Sequence, residues 1–210
     1  IFFGVLLALM NMRGKWAEGI MPRNLIWIVK DRLAVCERPG GYGPQHRKVR
    51  RIEELIWIRR NDFKRVISII PAAHNLHNYE EFDIDYVHRP IAIGDHLHEV
   101  LGVLYVDLNK LIAHGERLLM HHEDVGDDIG GTMAGYLVWN GFVDTPHKAI
   151  TVIERMINRV IGSHGREIVS AAMELPSPEE LTPQEDEEST MEDESLQFQE
   201  SSNFEEIATE

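Results

Sequence analysis

The sequence predicts an α/β fold with a mainly parallel central sheet flanked by helices. Short apolar stretches alternate along the chain with longer segments whose apolar residues recur at helical spacing. One stretch, residues 65–70 (RVISII), is β-branched and apolar, which is typical of a central parallel strand. Strands that alternate with helices in this way favour one parallel sheet covered by helices.

Strands and helices alternate through most of the predicted domain. The predicted strands span residues 24–29, 32–36, 65–70, 86–89 and 117–120. The predicted helices span residues 52–61, 75–82, 97–114, 129–140 and 145–160, with a last turn or two within 166–173. Thr145 is the expected N-cap of its helix, with Pro146 at the first helical position. Gly115 and Gly141 are expected to terminate the helices that precede them.

The negative charge of the chain is concentrated in its last segment. The formal net charge is -14, from 35 acidic and 21 basic residues. Residues 175–210 hold 13 of the acidic residues and no Lys, Arg or His, which leaves 22 acidic residues against 21 basic ones before them. With its prolines and few aliphatic residues, this segment is predicted to be a disordered acidic tail. Nothing in the nearly neutral remainder indicates a nucleic-acid binder.

The remaining length suits one domain, which is predicted to span residues 24–174. Residues 1–10 are apolar, but the run is too short for a membrane helix and lacks the flanks of a signal peptide. Residues 1–23 are interpreted as an N-terminal extension, either the remnant of a longer hydrophobic segment or, as we favour, sequence outside the native protein. The single cysteine, Cys36, cannot form an intramolecular disulfide and favours a reducing, cytoplasmic location.

The most informative stretch, residues 117–141, combines a predicted strand, a polar loop and a predicted helix. Such a unit recurs as a phosphate cradle, because free backbone N–H groups and the helix dipole point at the loop. Here the loop carries Glu123, Asp124, Asp127 and Asp128. Like charges about 4 Å apart repel by roughly 4 kcal/mol at an effective dielectric near 20, whereas a helix dipole offers an anion ~0.3–1 kcal/mol. Unless these carboxylates point away or are neutralised, or serve as helix caps, phosphate is not expected to bind.

Other segments occur in a recognisable order around this loop. Residues 134–141 (AGYLVWNG) and the helix start at 145–149 follow it, while residues 88–91 (HRPI) and a loop with Asp95 precede it. This order resembles the protein tyrosine phosphatase superfamily, nearest its compact dual-specificity members, whose loop reads His-Cys-x-x-Gly-x-x-Arg. The resemblance covers about residues 24–160 and implies a three-layer α/β phosphatase-like domain.

The sequence departs from the family pattern at the positions that carry its chemistry. His121 matches the family's histidine, but His122 stands where the family has its nucleophilic cysteine. Asp128 stands where the family has the arginine whose guanidinium grips the phosphoryl oxygens. Val125 replaces the glycine between them, with Gly126 beside it. The resemblance therefore implies a phosphatase-like domain that has lost phosphate-monoester hydrolysis and acts by binding a partner or ligand.

Two enzymatic alternatives stay open. Overall resemblance alone implies an active tyrosine or dual-specificity phosphatase with Asp95 as general acid, although Asp95 as a cap of the 97–114 helix explains the residue equally well. A metal-dependent hydrolase would bind a divalent metal through His121, His122, Asp124 and Asp128. Against the metal, consecutive residues rarely point at one ion, and no HExxH-type spacing occurs.

A binding surface is predicted around the loop. Residues 39–44 (PGGYGP) form a turn-rich segment, and the basic run 46–51 (HRKVRR) is either a solvated helix start or an anion-contacting patch. The expected ligand-binding residues are Arg32, Gly40, Gly41, Tyr42 and Asp95. The ligand is expected to be cationic or metal-bearing rather than a bare phosphate, with no organic cofactor and no membrane contact of the folded domain. An unidentified protein partner is the other possibility for this surface.

Overall fold

Five strands form one sheet in this computed structural model, which describes residues 18–73, 76–94 and 96–181. The strands are β1 Ile26–Val29, β2 Leu33–Glu37, β3 Arg65–Ser68, β4 Asp85–His88 and β5 Leu118–His122. Their order across the sheet is β1-β2-β5-β3-β4. Strands β2, β5, β3 and β4 run parallel, and β1 pairs with β2 in the antiparallel direction. The predicted mainly parallel α/β sheet is confirmed. The strand predicted at residues 65–70 is β3, which lies inside the sheet between β5 and β4, whereas the middle strand is β5.

The helices lie close to their predicted positions, with differences at their ends. They are α1 Lys48–Arg60, α2 His77–Glu81, α3 Leu97–Ala113, α4 Asp127–Trp139, α5 Pro146–Ile157, α6 Ser163–Met173 and α7 Pro178–Leu181, and a short 3-10 helix spans Gly43–Gln45. Helix α1 begins at Lys48 rather than at residue 52, so it includes most of the basic run. Helix α6 begins at Ser163 rather than at residue 166, and this earlier start brings His164 into its first turn.

Helices cover both faces of the sheet, which confirms the three-layer prediction. One face packs against α1 and α2, in a buried cluster of Ala34, Cys36, Leu55, Ile58, Val66, Tyr79, Phe82 and Leu119. The buried residues that alternate with these along the strands point to the other face, because side chains alternate along a strand; they are Leu33, Val35, Ile67, Leu118 and Met120. On that face α4 contacts β5, and α5 contacts β1.

Helix α4 is buried on all sides, since every residue from Ile129 to Trp139 is inaccessible to solvent. A helix that is apolar around its whole circumference belongs inside a protein. Its glycines allow α6 to approach closely, because a Cβ placed at Gly131 would lie 2.8 Å from the Cα of Gly165. The backbones of α4 and α6 are therefore in contact at this crossing.

The predicted N-cap at Thr145 and the predicted terminating glycines, Gly115 and Gly141, are confirmed. The Thr145 hydroxyl accepts a hydrogen bond of 3.4 Å from the backbone N–H of Lys148, and Pro146 occupies the first position of α5. Gly115 and Gly141 follow α3 and α4 with φ values of 81° and 70°, a left-handed conformation that suits glycine.

Residues up to Pro178 form one compact unit. Near its end, the indole N–H of Trp139 donates a hydrogen bond of 2.7 Å to the carbonyl of Pro176. The predicted disordered tail begins at residue 175, yet residues 175–181 are described and include α7. The rest of that tail lies outside the described residues, as does most of the predicted N-terminal extension. Across the described residues, none of the helices has the length and apolar character needed to cross a lipid bilayer.

Candidate functional site

The candidate site lies at the carboxyl edge of the parallel strands, where ligands commonly bind in α/β sheets. Strand β5 lies between β2 and β3, with His121 paired to Cys36 on one side and to Ser68 on the other. Both His121 and His122 belong to β5, so the loop begins two residues later than predicted. Successive side chains along a strand point to opposite faces of the sheet, which separates these two histidines.

His121 points into the protein. Its side chain is 2% exposed, and its Nε2 lies 2.9 Å from the Tyr79 hydroxyl in a hydrogen bond. Burial lowers the pKa of His121 to about 3, and the positive charges of Arg38, His122 and His88 act in the same direction. The imidazole is therefore neutral near pH 7 and holds the sheet against α2.

His122 instead lines a cleft of about 550 Å³. The residues that line this cleft are Ile70, Pro71, Ala72, Ile91, Ala92, Ile93, His122, Glu123, Asp128 and His164. The walls are apolar, whereas the polar groups come from β5, the start of α4 and the start of α6. No Lys or Arg is among these described lining residues.

Asp128 lies between two imidazoles in this cleft. Nε2 of His164 donates a hydrogen bond of 3.0 Å to Asp128 Oδ1. Nδ1 of His122 lies 3.9 Å from Asp128 Oδ2, which is too long for a hydrogen bond. This His122 nitrogen is buried and has no hydrogen-bond partner among the described residues.

Two carboxylates beside the cleft pair with arginines. Arg38 Nη1 lies 3.6 Å from Glu123 Oε1, and the backbone N–H of Arg38 donates to the carbonyl of His122 at 2.8 Å. Arg159 Nη1 donates to Asp124 Oδ2 at 2.8 Å, and this contact raises the pKa of Arg159. The Asp124 charge is therefore neutralised by an arginine that does not line the cleft.

Asp127 caps the start of α6. Its Oδ1 accepts a hydrogen bond of 3.0 Å from the N–H of Gly162, and its Oδ2 accepts one of 3.4 Å from the N–H of Gly165. Carboxylates are favoured at helix N-termini, where N–H groups lack partners within the helix. The loop carboxylates were expected to cap the helix predicted at residues 129–140, but no side chain caps α4, and Asp127 lies in its first turn and caps α6 instead.

The segment with Gly40, Gly41 and Tyr42 lies at the same edge of the sheet, but none of these three residues lines the cleft. It follows β2, whose last residue Glu37 pairs with His122. The N–H of Gly40 donates a hydrogen bond of 2.6 Å to the buried carboxylate of Glu54, which pins this segment to α1. Tyr42 is exposed.

Arg32 does not belong to the site, so this part of the prediction is wrong. It precedes β2 and therefore lies at the amino edge of the parallel strands, away from the cleft. Its guanidinium donates to the carbonyl of Gly115 at 2.7 Å. Asp95, the predicted general acid and ligand-binding residue, lies outside the described residues.

Cys36 is not a displaced nucleophile. It is completely buried in the sheet beside His121. Burial raises the pKa of the Cys36 thiol well above its ordinary value, and the nearby carboxylates of Glu54 and Glu37 add to that effect. A buried thiol of this kind has little thiolate character.

Solved structures match this fold, although no family model matches the sequence and no curated protein is similar to it. Tk-PTP in its active form has a TM-score of 0.57 at 16% identity, over 72% of this chain and 97% of that chain. The kinase associated phosphatase with its catalytic-site cysteine substituted by serine has a TM-score of 0.57 at 16% identity, over 70% and 93%. DUSP15 has a TM-score of 0.52 at 14% identity, over 75% and 94%.

The chain has the dual-specificity phosphatase fold. The resemblance seen in the order of sequence segments is thus confirmed for the fold. Within this phosphatase fold, the stretch from β5 through the loop into α4 is the one that the sequence singled out, and it forms the floor of the cleft.

The four residues predicted as metal ligands are not brought together in this phosphatase fold. His121 is hydrogen-bonded to Tyr79 on the inner side, and Asp124 is bound by Arg159. Only His122 and Asp128 of the set line the cleft. In the described part of the chain, no group of three or more His, Cys, Asp or Glu side chains is arranged to hold a metal ion.

Three site residues were missed from the sequence. His164 reaches Asp128 from α6, Arg38 reaches Glu123 from the segment after β2, and Arg159 reaches Asp124 from the end of α5. The place of Arg38 could have been predicted from the sequence, because residues that directly follow parallel strands lie at one edge of the sheet. The positions of His164 and Arg159 depend on how α5 and α6 pack against α4, which the sequence pattern does not specify.

Proposed function

We propose that this domain is a phosphatase-like binding module that does not hydrolyse phosphate monoesters by the cysteine mechanism. The observation that carries the proposal is the lining of the cleft, which among the described residues contains two carboxylates, from Glu123 and Asp128, and no Lys or Arg. The proposal is supported by the resemblance drawn from the sequence, in which His122 stands where the family has its nucleophilic cysteine and Asp128 where it has the phosphate-binding arginine. The described contacts supply no replacement for either group.

Electrostatics support the loss of phosphoryl transfer. Catalysis of that reaction depends on cationic groups that stabilise charge on the transferring oxygens. A phosphate dianion in this cleft would instead face Asp128, whose partners are imidazoles at 3.0 Å and 3.9 Å. At an effective dielectric near 20, each like-charge contact of about 4 Å costs roughly 4 kcal/mol.

The preserved cleft supports a binding role. Its volume of about 550 Å³ lies within the range of small-ligand and peptide sites, and its walls are apolar. Its floor is fixed by the sheet and by the start of α4. The partner or ligand that binds there is proposed to act in the cytoplasm, a location that the single, unpaired Cys36 supports.

Turnover of 4-nitrophenyl phosphate tests this proposal. The full chain is expected to give no rate above that of buffer, with DUSP15 as the positive control. Saturable turnover that disappears in His122→Ala would refute the proposal, because this cleft would then be catalytic. Turnover that persists unchanged in His122→Ala and in Asp128→Asn would point to a contaminant.

A charge reversal tests the electrostatic argument separately. Thermal unfolding of the full chain is expected to be insensitive to phosphate and vanadate, whereas Asp128→Arg is expected to become stabilised by them because a ligand that binds only the folded state raises its stability. Asp128→Asn, which removes the charge without adding a clamp, is the matched control and is expected to respond weakly. Stabilisation of the unmodified chain by vanadate would show that the loop is still an oxyanion cradle.

A further inference from the structure

We propose that the cleft binds an alkyl cation, that is, an ammonium or guanidinium group carried on an aliphatic stem. Asp128 and Glu123 are its counter-charges, and the isoleucine walls hold its stem. This inference rests on the proposed function and deepens it by naming the class of ligand.

The first argument is the charge of Asp128, which no cationic side chain neutralises within the cleft. Its side chain is only 21% exposed, and its described partners are the imidazoles of His164 and His122. Removing a carboxylate from water is costly unless it is paired with a cation. A cationic ligand would supply that pairing at Oδ2, since the hydrogen bond from His164 goes to Oδ1.

The arginines near the cleft leave this charge uncompensated. Arg159 is engaged with Asp124 at 2.8 Å. Arg38 faces Glu123, but at 3.6 Å, so the Glu123 carboxylate keeps hydrogen-bonding capacity for a second donor. Glu123 is also the more exposed partner of this pair, at 42% against 11% for Arg38. The cleft therefore presents one carboxylate whose described partners are imidazoles, Asp128, and one that is loosely paired with an arginine, Glu123.

The second argument is the buried Nδ1 of His122, which has no hydrogen-bond partner among the described residues. Buried polar atoms in proteins are usually satisfied. Of the six buried side-chain atoms that lack a hydrogen-bond partner among the described residues, this nitrogen is the one whose side chain lines the cleft. In the neutral tautomer that carries its proton on Nε2, this Nδ1 accepts a hydrogen bond. An N–H donor placed between His122 and Asp128 satisfies both groups, and ammonium and guanidinium ions supply such donors.

The third argument is the shape of the apolar walls. Ile70 and Pro71 follow β3, and Ile91 and Ile93 follow β4, so the walls flank the polar floor on the side of the sheet edge. Long cationic side chains bury their methylene stems on apolar surface while the charged head makes polar contacts. An inorganic cation would leave these walls unused, whereas an alkyl cation contacts both the walls and the floor.

Titration of the full chain with matched small probes tests the ligand class. The cationic probes are N-acetyl-arginine methylamide, N-acetyl-lysine methylamide and 1,4-diaminobutane, and the neutral counterparts are the citrulline and norleucine methylamides. At least one cation is expected to bind about tenfold or more tightly than its neutral counterpart, since a charge-assisted hydrogen bond in such a site is worth about one tenfold step in affinity or more. Equal binding of cationic and neutral probes would overturn the proposal.

The same probes distinguish two sources of the cation. Binding of an amino-acid probe without the diamine supports a Lys or Arg side chain of a partner protein. Binding of the diamine without the amino-acid probes supports a free polyamine. Either result upholds the alkyl-cation class, and binding of neither refutes it.

Two charge-removing variants of equal size locate the binding. Asp128→Asn is expected to weaken cation binding about tenfold or more. Asp144→Asn is the control, because Asp144 is exposed, pairs with Lys148 at 2.7 Å and follows the far end of α4, roughly 20 Å along that helix from Asp128. Equal losses in both variants would refute the proposal, as would tight binding of Mn²⁺ or Zn²⁺ that His122→Ala abolishes and the alkyl cations do not compete with.

Failure of this inference differs from failure of the proposed function. If the chain binds no alkyl cation and turns over no aryl phosphate, the ligand class is wrong and the binding module stands. If the chain hydrolyses aryl phosphate in a His122-dependent manner, the proposed function is wrong and this inference falls with it.

Discussion

The polar side chains of residues 121–128 fall into two sets. The inner set, His121, Asp124 and Asp127, bonds to other parts of the protein: Tyr79, Arg159 and the start of α6. The cleft set, His122, Glu123 and Asp128, lines the cleft. Both sets contain one histidine and two carboxylates, and in each set the histidine Nδ1 is buried without a hydrogen-bond partner among the described residues. The sets differ in their carboxylates, since Asp124 and Asp127 bond to other parts of the protein whereas Glu123 and Asp128 line the cleft.

The difference shows that composition alone does not determine the electrostatics of a loop. Counted from the sequence, four carboxylates would all oppose an anion. In the structure, Asp127 caps a helix and Asp124 pairs with an arginine, whereas Glu123 and Asp128 face the cleft. Substitutions in the inner set should therefore change stability, and substitutions in the cleft set should change binding.

The largest expected effect on stability is its loss at low pH, which we attribute to His121. The pKa of this imidazole is about 3 in the folded protein, against an ordinary value of 6.5. Between these values the unfolded chain binds a proton that the folded chain does not, so stability rises with pH and is lost as pH falls below 6.5. The loss is about 1.4 kcal/mol per pH unit, or roughly 3 kcal/mol on going from near pH 6.5 to about pH 4.5.

Urea unfolding at these two pH values measures the loss. His121→Gln, which keeps a polar partner for Tyr79, is expected to reduce the slope by one proton. His122→Gln is the neighbouring control and is expected to leave the His121 contribution in place. If both variants keep the full slope, the acid sensitivity arises elsewhere in the protein.

The next largest effect is expected at Asp127. Asp127→Ala removes the acceptors for Gly162 and Gly165 and is expected to lower the free energy of unfolding by about 1–2 kcal/mol. Asp127→Asn retains one acceptor and should cost less. Asp128→Ala is the matched change in the cleft set and is expected to cost less than Asp127→Ala, because the lost hydrogen bond from His164 is offset by removal of a partly buried charge that no Lys or Arg pairs with among the described lining residues. Chemical unfolding of the three variants checks this order, and an equal cost at both aspartates would remove the distinction between the sets.

The smallest effect is expected for the pair of Asp124 and Arg159. Both side chains are over a third exposed, at 36% and 52%, so solvent screens their attraction. A double-mutant cycle with Asp124→Ala and Arg159→Ala is expected to give a coupling of about 0.2–1 kcal/mol that declines with added salt. A coupling that does not respond to salt would show that the pair is less screened than its exposure indicates.

The order and type of the elements could be predicted because strand and helix periodicities are strong in this chain. The start of α1 could not be predicted, because Arg47 supplies no side-chain cap. The helix start is instead held by the hydrogen bond from the Arg47 N–H to the Gly40 carbonyl. That bond depends on tertiary structure, and the basic run before residue 52 gave no capping signal.

For the site, the sequence identified the cleft set because those residues depart from a recognisable motif. It did not separate the inner set, because the loop was predicted to begin at His121. Extending β5 to His122 would have placed the two histidines on opposite faces and weakened the metal hypothesis from the sequence alone. Arg32 was misplaced although its position before a parallel strand already put it at the wrong edge.

The backbone contact between α4 and α6 at Gly131 and Gly165 sets the width of the cleft. Asp128 lies one helical turn before Gly131, and His164 is adjacent to Gly165, so both cleft residues follow the separation of the two backbones. A methyl group at either glycine is expected to push the two helices apart. This would move one side of the cleft without altering any residue that lines it. Substitutions at residues that no ligand touches are therefore expected to change the selectivity of the cleft.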